Sequence, residues 1–288
     1  MIGVPDLVVI CLRALSFIAS FQAAGAVLFV AVFLSRLPPS SLRDNRRLAS
    51  ITAFVAIVLT ISQHALGPAR MTGEFGDVFD ASLQRFLFES GAGTAVVARV
   101  IGLGLILLAF NPNQRAGLIL AVFGAILVPV SFVAMGHTAT HDPGWLLSPL
   151  LIMHLLVASF WFGALLPLRR ILEHESAATA RELLFQFSTL AVRAVPMLFV
   201  AGVALAALLL GSWSRLMTPY GWILLLKTAG FALLMALAAL NRWRLTPRMG
   251  SEQSVTLALN RSIAGEWIII AAILTATATM TALFSPDA

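Results

Sequence analysis

Four of the five histidines, His64, His137, His141 and His154, fall at or just below one and the same boundary when the apolar segments of this chain are laid across a bilayer. Imidazole is costly to place near hydrocarbon and is a common ligand of copper, zinc and haem iron. Four rings at one depth therefore predict a metal site. Met135 and Met153 neighbour His137 and His154 in sequence. Their thioether sulfurs are soft ligands that select Cu(I) over harder ions, so the set suits copper as Cu(I) or Cu(II). Each element also has a plainer reading. His64 alone could be a hydrogen-bonded interfacial residue, His137 and His141 could cap or solvate a tight loop, and the methionines could be apolar filler. His154 lies nine residues into its span, too deep for a loop residue, and an ionisable group there is a functional candidate by default. His174, within Glu173-His174-Glu175, reads as solvated loop.

The elements that must carry these residues are membrane helices. Hydrophobic residues make up 59% of 288 positions and charged residues 11%, far from the roughly 25% charged fraction of a soluble domain. Apolar stretches predict eight spans at about 6–34, 48–66, 91–110, 116–135, 145–168, 187–210, 220–240 and 263–284. The fold class is all-α, a single transmembrane helical domain over 1–288. The net charge of +6 is spread over short connectors rather than clustered on a folded face, which argues for topology and against nucleic acid. Arg36, Arg43, Arg46, Arg47, Arg115, Arg169, Arg170, Arg181, Arg242, Arg244, Arg248 and Arg261 share one side, against Arg70, Arg85 and Arg215 on the other. Short basic loops are retained in the cytoplasm, so both termini and the histidine-bearing ends are expected outside it. No Lys or Arg precedes the first span, which is therefore read as a retained span and not a signal peptide. Trp145, Trp213 and Trp222 suit the outer interface, and Trp243 and Trp267 the inner one, as belt anchors.

The same depth count finds cations in the outer half of the bilayer: Arg13 in span one, Arg99 in span three and Lys227 in span seven. Each needs a carboxylate, a carbonyl, an anionic ligand or a path by which to snorkel. Glu74, Asp77, Asp80 and Glu89 between spans two and three are the expected partners, Glu89 being nearest in sequence. Gln22 and Asn241 are candidates for hydrogen bonds between helices, and Ala98, Gly102, Ser159 and Gly163 for close helix approach.

Cys11 is the lone cysteine, which excludes disulfides and cysteine metal clusters within one chain. No phosphate-binding loop or dinucleotide fingerprint occurs, so ATP-driven pumping by this chain is not expected.

The run Gly136-His137, followed by His154-Leu155-Leu156-Val157-Ala158-Ser159-Phe160-Trp161-Phe162-Gly163, resembles the signature region of the copper resistance protein D (CopD) family of bacterial inner-membrane proteins. The stretch from Tyr220 to Lys227, ending at Asn241-Arg242, is similar to a later pattern of that family. Arg99 matches an arginine usual in its third span. The resemblance implies a multi-pass protein of the bacterial inner membrane that handles copper, moving it from periplasm to cytoplasm, beside a separate periplasmic partner of the CopC type. It also implies His137 and His154 as copper-site members, and Arg99 and Lys227 as family-pattern residues without an assigned role.

Three functions fit these residues. The leading one is a copper-binding membrane transporter, not an enzyme, with copper entering at His64, His137, His141 and His154 with Met135 or Met153. A b-type cytochrome would use two histidines as axial ligands of haem b and Arg13, Arg99 or Lys227 against its propionates. A scaffold would present copper to another membrane enzyme. In the transporter reading the inward half of the route is the weakest part, because few polar residues beyond Gln22 are available there.

Overall fold

The structure is a computed structural model that describes residues 3–135, 144–249 and 253–284. Its elements are helices: α1 (Val4–Phe33), α2 (Pro39–Ala65), α3 (Gly67–Thr72), α4 (Ala81–Glu89), α5 (Gly91–Ala109), α6 (Arg115–Val130), α7 (Gly144–His174), α8 (Ala177–Leu210), α9 (Pro219–Leu240) and α10 (Gln253–Leu283). No strand occurs among the described residues. All except α3 and α4 are long and apolar enough to cross a membrane, eight spans in all, as the hydropathy predicts. The chain is a multi-pass membrane protein.

Several helices outrun their expected bounds. α10 begins at Gln253, ten residues before the position expected from hydropathy, because a helix continues past the hydrocarbon wherever its backbone stays hydrogen-bonded. α7 likewise runs on to His174, and α8 resumes at Ala177. His174 is thus the last residue of a helix rather than part of a loop. It is exposed, with Nδ1 3.0 Å from the Arg170 carbonyl. Beyond α9 the chain widens into a π-helical turn, Asn241–Leu245.

α1 is the central helix. Ala23, Ala24, Ala26, Val27, Phe29 and Val30 are fully buried, and the helix packs on α2, α7, α10 and α6. Small residues let the backbones meet, as expected for helices that gain little from apolar burial in lipid. An added Cβ at Gly25 would lie 1.8 Å from the Ser159 carbonyl oxygen, and one at Gly163 would lie 2.4 Å from the Gly25 Cα. Gly102 and Gly124 make the corresponding crossing of α5 with α6. Away from these seams large side chains face outward, among them Phe54, Leu108, Ile119, Phe123 and Leu226. Such an apolar exterior is what lipid requires.

Cross-chain contacts define the two ends of the bundle. At one, Arg70 meets Asp6 at 3.5 Å and the Ala282 carbonyl, joining the start of α1, α3 and the end of α10. At the other, Ser40 and Ser41 hydroxyls donate to Glu175, and Arg169 donates to Asn260. The second end carries the clustered arginines, and the first is the histidine-bearing end.

Candidate functional site

His154 sits ten residues past Gly144 on α7, about 15 Å along the helix at 1.5 Å per residue. Its Nδ1 lies 3.1 Å from the Leu198 carbonyl on α8. A carbonyl accepts only, so Nδ1 carries the hydrogen and Nε2 keeps its lone pair. One turn further along α8, Gly202 leaves a notch for the ring, where a Cβ would stand 3.2 Å from His154 Cε1. Fixing one ring nitrogen on a carbonyl is the usual way a protein aims the other at a metal.

His64 is in the last turn of α2, its ring edge-on to Phe88 of α4 at 6.4 Å between centroids. Its Nε2 is buried and without a hydrogen-bond partner among the described residues. The two histidines rest against different elements, α4 and α9's neighbour α8, and no hydrogen bond or ring contact joins them. Met153 is half-buried on α7. Met135 turns its sulfur toward Arg99, 3.9 Å from Nη2. His137 and His141 lie outside the described residues. Among the described residues no three of His, Cys, Asp or Glu stand close enough together to hold a metal ion.

The intramembrane cations are arranged more closely than their spacing suggests. Arg99 of α5 is 2% exposed. Its Nε donates to Ser131 Oγ at 3.1 Å, and its Cζ lies 3.8 Å from the centroid of Phe132. Phe17 and Phe21 of α1 brace that ring from behind, at 5.1 and 5.5 Å. Arg13 of α1 is 9% exposed and has no hydrogen-bond or ion-pair partner among the described residues, although Arg99 and Arg70 are both within electrostatic range. Lys227 of α9 is half-buried and within electrostatic range of His154. Glu89 answers none of these: it pairs with Arg85, one turn away on the exposed face of α4, at 2.7 Å. Asp80 caps α4, accepting from the backbone N–H groups of Ser82 and Leu83. The Ser82 hydroxyl, followed by those two N–H groups, holds its carboxyl below the ordinary carboxylate value.

Toward the arginine-rich end lies a polar network in which Gln22 and Asn241 hydrogen-bond between helices, as expected, around a carboxylate that hydropathy and spacing missed. Glu266 of α10 is 4% exposed. Its Oε1 accepts from Asn241 Nδ2 at 2.6 Å and its Oε2 from Trp161 Nε1 at 3.4 Å. The next residue, Trp267, donates to Gln22 Oε1 at 3.0 Å and stacks on Phe162, while Gln22 Nε2 donates to the Gly163 carbonyl at 3.0 Å. Trp267 is therefore an internal hydrogen-bond donor and not an interface anchor. Trp145, Trp222 and Trp243 are exposed, as belt residues are. A signal for Glu266 existed in its setting within an apolar run. With the span begun at 263, however, it falls in the first turn, where a carboxylate is ordinary.

Comparison with known proteins shows the family of the chain. The family model described as "Copper resistance protein D-like, N-terminal domain" matches residues 4–148, and that described as "Copper resistance protein D" matches residues 181–280. The chain is similar to "Copper transport protein CutJ" of Bacillus subtilis (strain 168), 25% identical over 258 residues that cover 85% of this chain and 46% of the relative. It is also similar to "Inner membrane protein YebZ" of Escherichia coli (strain K12), 33% identical over 104 residues, 35% of this chain and 36% of the relative. The matched part is less than half the length of either relative. No solved structure matches the chain.

Proposed function

The chain belongs to the copper resistance protein D family, and from that premise we propose that it is a copper-binding transporter of the bacterial inner membrane. Copper is its cargo and no reaction is catalysed. The arginine-rich end lies in the cytoplasm by the retention of short basic loops, which places both termini and the histidine-bearing end in the periplasm. Copper enters there and is released inward. His154 Nε2 and His64 Nε2 supply imidazole ligands, with His137 and His141 from the adjoining connector and Met135 or Met153 as soft sulfur ligands. Onward movement needs several weak sites rather than one tight one. A periplasmic protein of the CopC type delivers the ion.

The observation that carries this reading is the Leu198 carbonyl on His154 Nδ1, which fixes the ring and leaves Nε2 its lone pair at a depth where a histidine is expensive to keep. The test is copper entry into vesicles containing the purified protein, with His154→Ala and His137→Ala beside the wild type. Uptake that both substitutions abolish supports the reading. Vesicles that take up no copper, or variants that match the wild type, overturn it.

The partnerless guanidinium of Arg13 beside Arg99 favours a second reading, a b-type cytochrome whose haem propionates would answer those charges. An absorption spectrum of the purified protein decides: a Soret band supports haem, and bound copper without one supports transport.

A further inference from the structure

Trp161 and Asn241, far apart in sequence and on different helices, converge on one buried carboxylate. Glu266 receives a neutral N–H donor on each oxygen, at 2.6 Å from Asn241 and 3.4 Å from Trp161. Asn241 stands where α9 gives way to the π-helical turn, a feature frequent at functional sites. Among the described residues no counter-charge pairs with the carboxylate. Among the charged groups on the elements packed around it, Arg242 is committed to Ser188 and Thr189, Arg169 to Glu173 and Asn260, and Arg244 and Arg261 are exposed. Arg13 on α1, His154 on α7 and Lys227 on α9 belong to the histidine-bearing half. None forms an ion pair with Glu266.

The second half of the arrangement is the other atom of the same amide. Asn241 Oδ1 is buried and has no hydrogen-bond partner among the described residues. The two ends of an amide are nearly identical in shape, so a half-turn about its last torsion exchanges donor for acceptor. An ionised Glu266 accepts from Asn241 Nδ2, and a protonated Glu266 donates its O–H to the rotated Oδ1. Trp161 Nε1, a donor only, serves the other oxygen in both states.

We propose that Glu266 is a proton-binding site, held ready for both protonation states by Asn241 as its positioning residue, and that this proton is the ion to which copper movement is coupled. The coupling rests on the transport reading; the proton site does not.

The test is infrared spectroscopy of the full chain in lipid vesicles across a pH series, with carbon-13 glutamate to assign the carboxyl band. The proposal expects a protonated-carboxyl C=O signal that disappears as pH rises, is absent from Glu266→Gln, and keeps its amplitude with a displaced midpoint in Asn241→Leu. A purely structural amide would leave that midpoint unmoved. A wild type with no such signal at any pH, a signal that persists at every pH, or one that survives Glu266→Gln overturns the proposal. Should Glu266→Gln not fold, Glu266→Asp keeps a carboxyl, and an unmoved band in that variant overturns it equally. A titrating Glu266 in a protein that moves no copper sustains the proton site and removes the transport reading alone.

Discussion

Gly25 of α1 and Gly163 of α7 cross with their backbones in contact, so that a Cβ on Gly163 would fall 2.4 Å from the Gly25 Cα. This crossing sets where α7 lies on the central helix. It therefore sets the positions of His154 and Trp161, nine and two residues before Gly163 on the same helix, and it brings the Gly163 carbonyl to Gln22.

Gly163→Ala is expected to force the two helices apart. Overpacking in a well-filled interior costs about 1–3 kcal/mol, and backbone cannot yield as a flexible side chain does. Thermal unfolding in detergent should show a lowered midpoint for Gly163→Ala. Gly104→Ala, where a Cβ meets nothing within 4 Å, should leave it unchanged.

Gly202→Ala is expected to act on His154 without touching a ligand. A methyl 3.2 Å from Cε1 crowds the ring and strains its contact with the Leu198 carbonyl. Loss of such an orienting contact weakens metal binding by about 10–100-fold. Copper titration of the purified variant against the wild type reads this, and an unchanged affinity would remove His154 from the site.

Gln22→Leu deletes the acceptor of Trp267 and the donor to Gly163 together. Hydrogen bonds between membrane helices are worth about 0.6–2 kcal/mol. A loss of that order in unfolding free energy is expected, with a blue-shifted tryptophan emission as the internal indole loses its polar partner.

Ser131→Ala leaves the Arg99 Nε–H without its hydroxyl partner. An orphaned buried donor costs about 1–3 kcal/mol, more when charged. Unfolding in detergent should show that loss, and Ser131→Thr, which keeps the hydroxyl, should recover most of it.

Acid should fray α4. Asp80 has its carboxyl held below the ordinary value of 3.8 by the Ser82 hydroxyl and the capping N–H groups. Its support for the helix is complete above that ordinary value and is lost as pH falls through the lower folded one. Amide exchange at Ser82 and Leu83, referenced to a distant exposed helix, should show protection lost in that window in the wild type. Asp80→Asn should show no such acid-dependent step.

What could be read from residues alone followed from a one-dimensional constraint. A bilayer demands runs of about 20 apolar residues with internally bonded backbone, and that demand located eight helices and placed His64, His154, Arg13 and Arg99 along their axes. It carries no information on azimuth. Whether Met135 faces a histidine or Arg99, whether Glu89 answers a buried cation or Arg85, and whether Trp267 meets lipid or Gln22 depend on how each helix is rotated and which neighbour it meets. The close crossings at Gly25 with Gly163 and Gly102 with Gly124 decide both. Glu266 shows the difference most plainly. Its depth is lost when the helix start is misplaced, and its two partners lie 25 and 105 residues away in the chain, so only the packed bundle brings donor, acceptor and carboxylate together.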